Sequence, residues 1–215
     1  MVYKTEDIIA DVRTAMDMNP QDDSLLAEGD TDTLSVDKLI LSKIEDAAYQ
    51  IENAAPLNLL DSGANLDCSV FWNESKGHEG TGWLILPTDF MRLIVFRMSD
   101  WEKPVYKAID DRDPIYARQS SKFAGLRGNV CNPVVAIVKR STARVLEFYS
   151  CNDTDAEVEQ AVYLQKPKVD EYGGIELCER CYRPIVYYTA GLAQMALGNS
   201  EAAKEMLETA TGMIS

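Results

Sequence analysis

Apolar positions recur at three- and four-residue intervals at both ends of the chain, which predicts helices there. In residues 5–18, Ile8, Val12, Ala15 and Met16 share one helical face, with Thr5 as the cap and Asn19-Pro20 as the stop. A second helix is predicted from Ser35 to residue 55, where Val36, Leu39, Ile40, Ile44, Ala47, Ala48 and Ile51 form the stripe and Pro56 ends it. Near the other end, Arg183-Pro184 opens a helix that runs through Leu197, and Gly198 caps it. Asn199 or Ser200 then starts a last helix to residue 214. Tyr182, Tyr187 and Tyr188 fall on different faces of the penultimate helix, so at least one is expected to be exposed or at an interface.

The middle of the chain reads differently. LDCSVFW predicts a strand, NESKGHEGTG a turn-rich loop and WLIL a short apolar run. Residues 88–98 are predicted as one more helix, with Thr88 capping, Asp89 in the first turn and Phe90, Leu93, Ile94 and Met98 on one face. After Trp101 the segments VYKAI, PVVAIVK, RVLEFYS and EVEQAVYLQ are rich in β-branched and aromatic residues and are parted by turn residues, as in a small antiparallel sheet. Within LEFYS, Leu146 and Phe148 alternate with Glu147 and Tyr149, which predicts one packed face and one wetter face. The order of elements predicts an α+β fold. Residues 1–98 and 184–215 would form a helical bundle, with an acidic loop at 19–34 and a short strand region at 66–86, and residues 99–183 a β-rich subdomain. The loop is either a linker or an arm that orders against a neighbour through Leu25 and Leu26.

A length of 215 residues suits one domain or a bundle with one inserted subdomain, and 46% hydrophobic with 26% charged residues is an ordinary globular composition. No apolar run approaches the roughly 18 residues of a membrane span. MVYKTEDIIADV has no basic region leading into an apolar one, so export is not expected. The five cysteines, Cys68, Cys131, Cys151, Cys178 and Cys181, are odd in number and irregular in spacing, which argues against a disulfide framework and for reduced thiols.

Charge is distributed unevenly within the net −14. Residues 1–96 hold 6 basic and 18 acidic side chains, residues 97–144 hold 10 and 5, residues 145–177 hold 2 and 8, and residues 178–215 hold 3 and 4. A basic middle therefore lies between acidic flanks. Lys103, Lys107, Arg112, Arg118, Lys122 and Arg127 are a solvated face, partners of acids in the same fold, or a surface that meets an acidic face of a neighbouring copy. DNA is a poorer partner for them, because phosphate neutralisation needs a net positive surface. Trp83, Trp101 and Tyr106 fit a core or a subunit boundary equally.

Chemistry-bearing motifs are sparse. Cys178-Glu-Arg-Cys181 has redox or metal spacing. A thioredoxin-like reading requires a strand before it and a helix after it, and zinc requires two further ligands although His78 is the single histidine. The plain alternative is two thiols on a helix or its approach. His78 sits in a polar loop without a GxSxG elbow to serve. Asp110, Asp111 and Asp113 lack the glycine and terminal glutamate of a calcium loop and suit a turn with helix-capping acids. The chain is therefore read as non-enzymatic, without metal or cofactor.

The stretch LPTDFMRLIVFRMSDWEKPV (86–105), then PIYARQSSKFAGLRGNVCNPVVAIV, RVLEFYS and two Ala-rich helices, resembles the head-to-tail connector or adaptor ring proteins of short-tailed bacteriophages, most of all those of crAss-like phages. The resemblance covers residues 86–215. It implies α+β subunits in which a helical bundle carries a small β-rich part, assembled as twelve-fold rings beneath the portal, with genomic DNA passing through the lumen. It also implies a virion protein at the head–tail junction, made in the bacterial host cytoplasm, whose partners are its own copies, the portal and adjacent tail rings. Many adaptors carry a long C-terminal tail that reaches the portal, whereas Ser215 follows directly on the last predicted helix. On this reading Lys103, Lys107, Arg112, Arg118, Lys122, Arg127, Trp101 and Tyr106 are the expected oligomer interface. The alternatives are a non-ring virion factor, such as a tail-completion or scaffolding partner, and an intracellular oxidoreductase using Cys178 and Cys181.

Overall fold

Helices flank a β-rich middle in the computed structural model, which describes residues 1–17, 36–60, 63–119, 121, 123–141 and 143–215. In chain order the elements are β1 (Val2–Lys4), α1 (Thr5–Ala15), α2 (Val36–Ala54), β2 (Ala64–Asn65), β3 (Phe71–Trp72), β4 (Gly82–Ile85), β5 (Phe90–Met98), β6 (Ile109–Asp110), α3 (Tyr116–Gln119), β7 (Val135–Lys139), β8 (Arg144–Phe148), β9 (Val158–Gln165), β10 (Gly174–Glu176), α4 (Tyr182–Ala196) and α5 (Ser200–Gly212). The fold is α+β, and it divides into a helical unit, residues 1–62 and 166–215, and a β unit, residues 63–165. The expected arm through Leu25 and Leu26 and the helix start at Ser35 lie outside the described residues.

In the helical unit, α4 packs against α1, α2 and α5. Ile8, Val12, Ile40, Ile44, Ala47, Ile51, Ile185, Ala190 and Ala193 form its buried interior, as the three-and-four periodicity requires. Small residues bring α4 and α5 close: a side chain on Gly191 would meet Leu207 at 2.8 Å, and Ala203 is fully buried. The α4–α5 connection is a Schellman turn, with Gly198 at φ 87° and the Asn199 N–H reaching the Gln194 carbonyl at 2.9 Å. Thr5 is not the cap of α1. It is the buried first helical residue, because β1 pairs with β10 and leads straight into the helix, and the Gly173 carbonyl accepts the Thr5 N–H at 2.8 Å.

The β unit contains a three-stranded sheet of order β2-β9-β5 and a five-stranded sheet of order β3-β4-β8-β7-β6, antiparallel except for the β6–β7 pair. Residues 90–98 form the strand β5, not a helix. Register shifts after Phe90, Leu93 and Arg97 break its two-residue alternation, so residues 90, 91, 93, 95, 96 and 98 are buried while Ile94, placed on the expected helical face, is only half-buried. Asp89 serves the sheet, accepting hydrogen bonds from Gln165 Nε2 at 2.8 Å and Tyr163 Oη at 3.2 Å. Thr88 belongs to the turn before the strand, closed by the Phe90 N–H on the Pro87 carbonyl.

Two other strands are shorter than expected. LDCSVFW gives only Phe71–Trp72, because the Asp67 carboxylate captures the Ser69 N–H and hydroxyl in a local turn. VYKAI contributes one bridge, Val105 to Phe96, and then Ile109 in β6. LEFYS is buried on both faces, since Glu147 and Tyr149 are covered as well as Leu146 and Phe148. The expected boundaries move for the same reasons. With 90–98 in a sheet, the β unit begins at residue 63, and β10 returns the segment after residue 165 to the helical unit by pairing with β1.

Candidate functional site: the outer face of the five-stranded sheet

Phe71, Trp83, Glu147 and Ala136 stand side by side across β3, β4, β8 and β7 on one face, while Leu84, Leu146 and Phe148 point into the core. Glu147 is 9% exposed, and such a carboxylate must be paired. Arg140, in the β7–β8 turn, reaches Glu147 Oε1 through Nε at 3.0 Å and Nη2 at 2.7 Å, and its guanidinium lies 3.9 Å over the Trp83 ring. Tyr149 donates to Oε2 at 2.6 Å and Tyr116, from α3, at 3.3 Å. Burial, then the hydrogen bond to Glu147, pushes the Tyr149 phenol far up from its ordinary value. Burial and the Glu147 charge raise Tyr116 as well.

Beside this network lies a cleft of about 110 Å³ whose wall includes His78, Thr81, Trp83, Gln119 and Tyr149. Four donors occupy the two oxygens of Glu147, and the tyrosines hold their protons. The arrangement therefore suits a scaffold that fixes the outer sheet face rather than a proton-transfer site. Replacing Arg140 leaves a buried carboxylate short of two charged bonds. Arg140→Ala is expected to destabilise the β unit by about 2–3 kcal/mol, and joint replacement of Arg140 and Glu147 by leucine to recover most of that, as read by chemical denaturation.

The eight expected interface residues separate in the structure. Lys103, Lys107, Arg112 and Arg118 are exposed and form no ion pair among the described residues, and Tyr106 is exposed too. Arg127 turns inward, with Nη1 and Nη2 directed at the carbonyls of Gly77 and Glu79 at 3.4 Å each, so it braces the 73–81 loop. Trp101 is 1% exposed, in edge-on contact with Phe96 and Phe148, and is a core residue, not an interface residue. Lys122 lies outside the described residues. Periodicity does not reveal Phe123 and Leu126, which are 74% and 57% exposed. The signal near them is the absence of any acid between Asp113 and Glu147, a run that carries six basic residues.

Other motifs resolve into structural roles. Asp110 and Asp113 accept the N–H groups of Arg112 and Ile115, each at 2.8 Å, in the turn before α3. Cys178 and Cys181 follow β10 and precede α4, the order a thioredoxin-like motif uses, but both are fully buried, and the Cys178 N–H donates to Glu52 at 2.7 Å. Burial and the nearby Asp100 raise the Cys151 thiol. A hydrogen bond to Glu102 raises Cys131. Folded protein is expected to show two thiols that react readily with a disulfide reagent, Cys68 faster than Cys131, and three that react only after unfolding. Among the described residues, no group of three or more His, Cys, Asp or Glu side chains could hold a metal ion, and no helix is long and apolar enough to cross a membrane. No protein-family model matches the chain, and no curated protein matches it either.

Proposed function

We propose that this chain is a structural virion protein: a subunit that assembles with its own copies into a ring-shaped head-to-tail adaptor between portal and tail, through which genomic DNA passes. The observation that carries the reading is the partition of charge between the units. The helical unit holds 9 basic and 21 acidic side chains, whereas the β unit holds 12 and 14 and concentrates its cations between residues 97 and 144. A cyclic ring joins one face of a subunit to a different face of the next, so it makes use of a molecule whose two parts differ in charge. A helical bundle with an inserted β unit also agrees with what the resemblance to short-tailed phage adaptors implies. An acidic lumen would let DNA slide, since acids repel phosphate.

Charge reversal tests the electrostatic part. Lys103→Glu with Lys107→Glu alters two exposed side chains, so folding should be unchanged while the concentration for self-association rises about tenfold at low salt, as read by sedimentation velocity. Equal association of the two proteins at low and high salt would remove the idea. The oxidoreductase alternative requires a reachable thiol at Cys178 or Cys181, and both are fully buried.

A further inference from the structure

We infer that the cleft beside Glu147 is a binding site for a small monocarboxylate group, received by donors on its wall that Glu147 leaves unspent. The site lies wholly within the β unit of one chain, and so stands whether or not copies form a ring.

Both walls of the cleft are held by contacts that do not consume these donors. On one side the 73–81 loop is tied down: the Asn73 N–H reaches the Thr81 carbonyl at 2.9 Å, the Thr81 hydroxyl donates to the His78 carbonyl at 2.7 Å, and Gly80, at φ 69°, passes so close to the Cys151 carbonyl that a side chain there would overlap it. On the other side Gln119, 3% exposed, accepts the Gly128 N–H at 2.7 Å, and Arg140 is fixed on Glu147 through Nε and Nη2. Hydrogen-bonding capacity remains. Among the described residues, the His78 imidazole, Asn73 Nδ2, the Trp83 indole N–H and Arg140 Nη1 have no hydrogen-bond partner, and Gln119 Nε2 has only a long contact of 3.4 Å to the Ile115 carbonyl. These groups come from the 73–81 loop, β4, α3 and the β7–β8 turn and are already in place, so little ordering is needed on binding.

Size and charge select the ligand. A volume of about 110 Å³ corresponds to three or four waters at roughly 30 Å³ each, room for a group the size of acetate and too little for a sugar or a nucleoside. The unspent groups are mainly donors, so they suit an acceptor. Arg140 and Glu147 offset each other's charge, which leaves little to neutralise a dianion such as phosphate. The Glu147 oxygens are already filled, which leaves nothing for a cation. A carboxylate brings two acceptor oxygens and a single charge, which the free Arg140 donors can meet in charge-assisted bonds. A free acid or an acidic side chain of another copy can carry that group.

The test titrates acetate into the full isotope-labelled chain, with acetamide and sodium chloride as controls, and reads side-chain nuclear magnetic resonances. Saturable shifts centred on the Trp83 indole and the Asn73 and Gln119 amides are expected, with a dissociation constant of roughly millimolar order, and neither control should produce them. His78→Ala removes an imidazole that bonds nothing in the fold, so the variant should keep its melting temperature and bind acetate about fivefold more weakly. Acetate that also dissociates copies of the chain over the same range would assign the group to a neighbour's acidic side chain. Acetate that binds and leaves association unchanged would assign it to a free acid. Shifts that fail to saturate, that centre on exposed cations such as Lys103 and Lys107, that acetamide or chloride reproduces, or that His78→Ala leaves unaltered would overturn the site.

Discussion

Removal of residues 199–215 should abolish cooperative unfolding of the helical unit and leave the β unit folded. The helix α4 is the hub of that unit, with α1 and α2 packed against it and α5 closing another side. Gly191 and Ala203 allow close approach there, so Leu207 seats directly on the α4 backbone. Without α5 this surface meets water at roughly 25 cal/mol per Å² of apolar area, a loss on the order of 5 kcal/mol, comparable with the whole stability of a small domain. Hydrogen exchange is the appropriate reading, because it reports residues 1–62 and 63–165 separately. If the truncated helical unit keeps its original midpoint, α5 contributes little to the bundle and becomes the candidate docking segment of the proposed adaptor.

Trp101→Ala should do the reverse. Trp101 sits among Phe96, Phe148 and Met98, all fully buried, and truncation leaves a cavity that the sheets cannot close without breaking register. A loss of about 3–5 kcal/mol is expected, confined to exchange protection in residues 63–165. Had Trp101 been an interface residue, the substitution would weaken assembly while sparing the monomer. A variant with an unchanged unfolding midpoint and impaired association would restore that assignment.

These two expectations also mark what could be read from the residues alone. The stripes of α2, α4 and α5 are regular enough to place those helices within one or two positions, α1 ends three residues before its expected end at residue 18, and Gly198 marks its turn. Strands β7, β8 and β9 follow from dense β-branched and aromatic content. Residues 90–98 mislead because register shifts in β5 remove a strand's clean alternation, and those shifts depend on pairing with β9, which is distant in sequence. The same long-range dependence hides the unit boundaries: nothing local in residues 174–176 says that they pair with residues 2–4. At the candidate interface, the sign and position of the charge were legible, but not direction. Arg127 turning inward while Phe123 stays exposed depends on bonds that Tyr116, Gln119 and Arg127 make with other segments, and no periodicity encodes that.

Native mass spectrometry over a range of concentrations, alone and with the portal protein encoded beside it, tests most directly the proposal that this chain builds a closed ring. The 24.0 kDa chain should form one discrete, high-order assembly of twelve copies, either alone or once the portal is added, with no ladder of open intermediates. A chain that remains monomeric or dimeric under both conditions would contradict it.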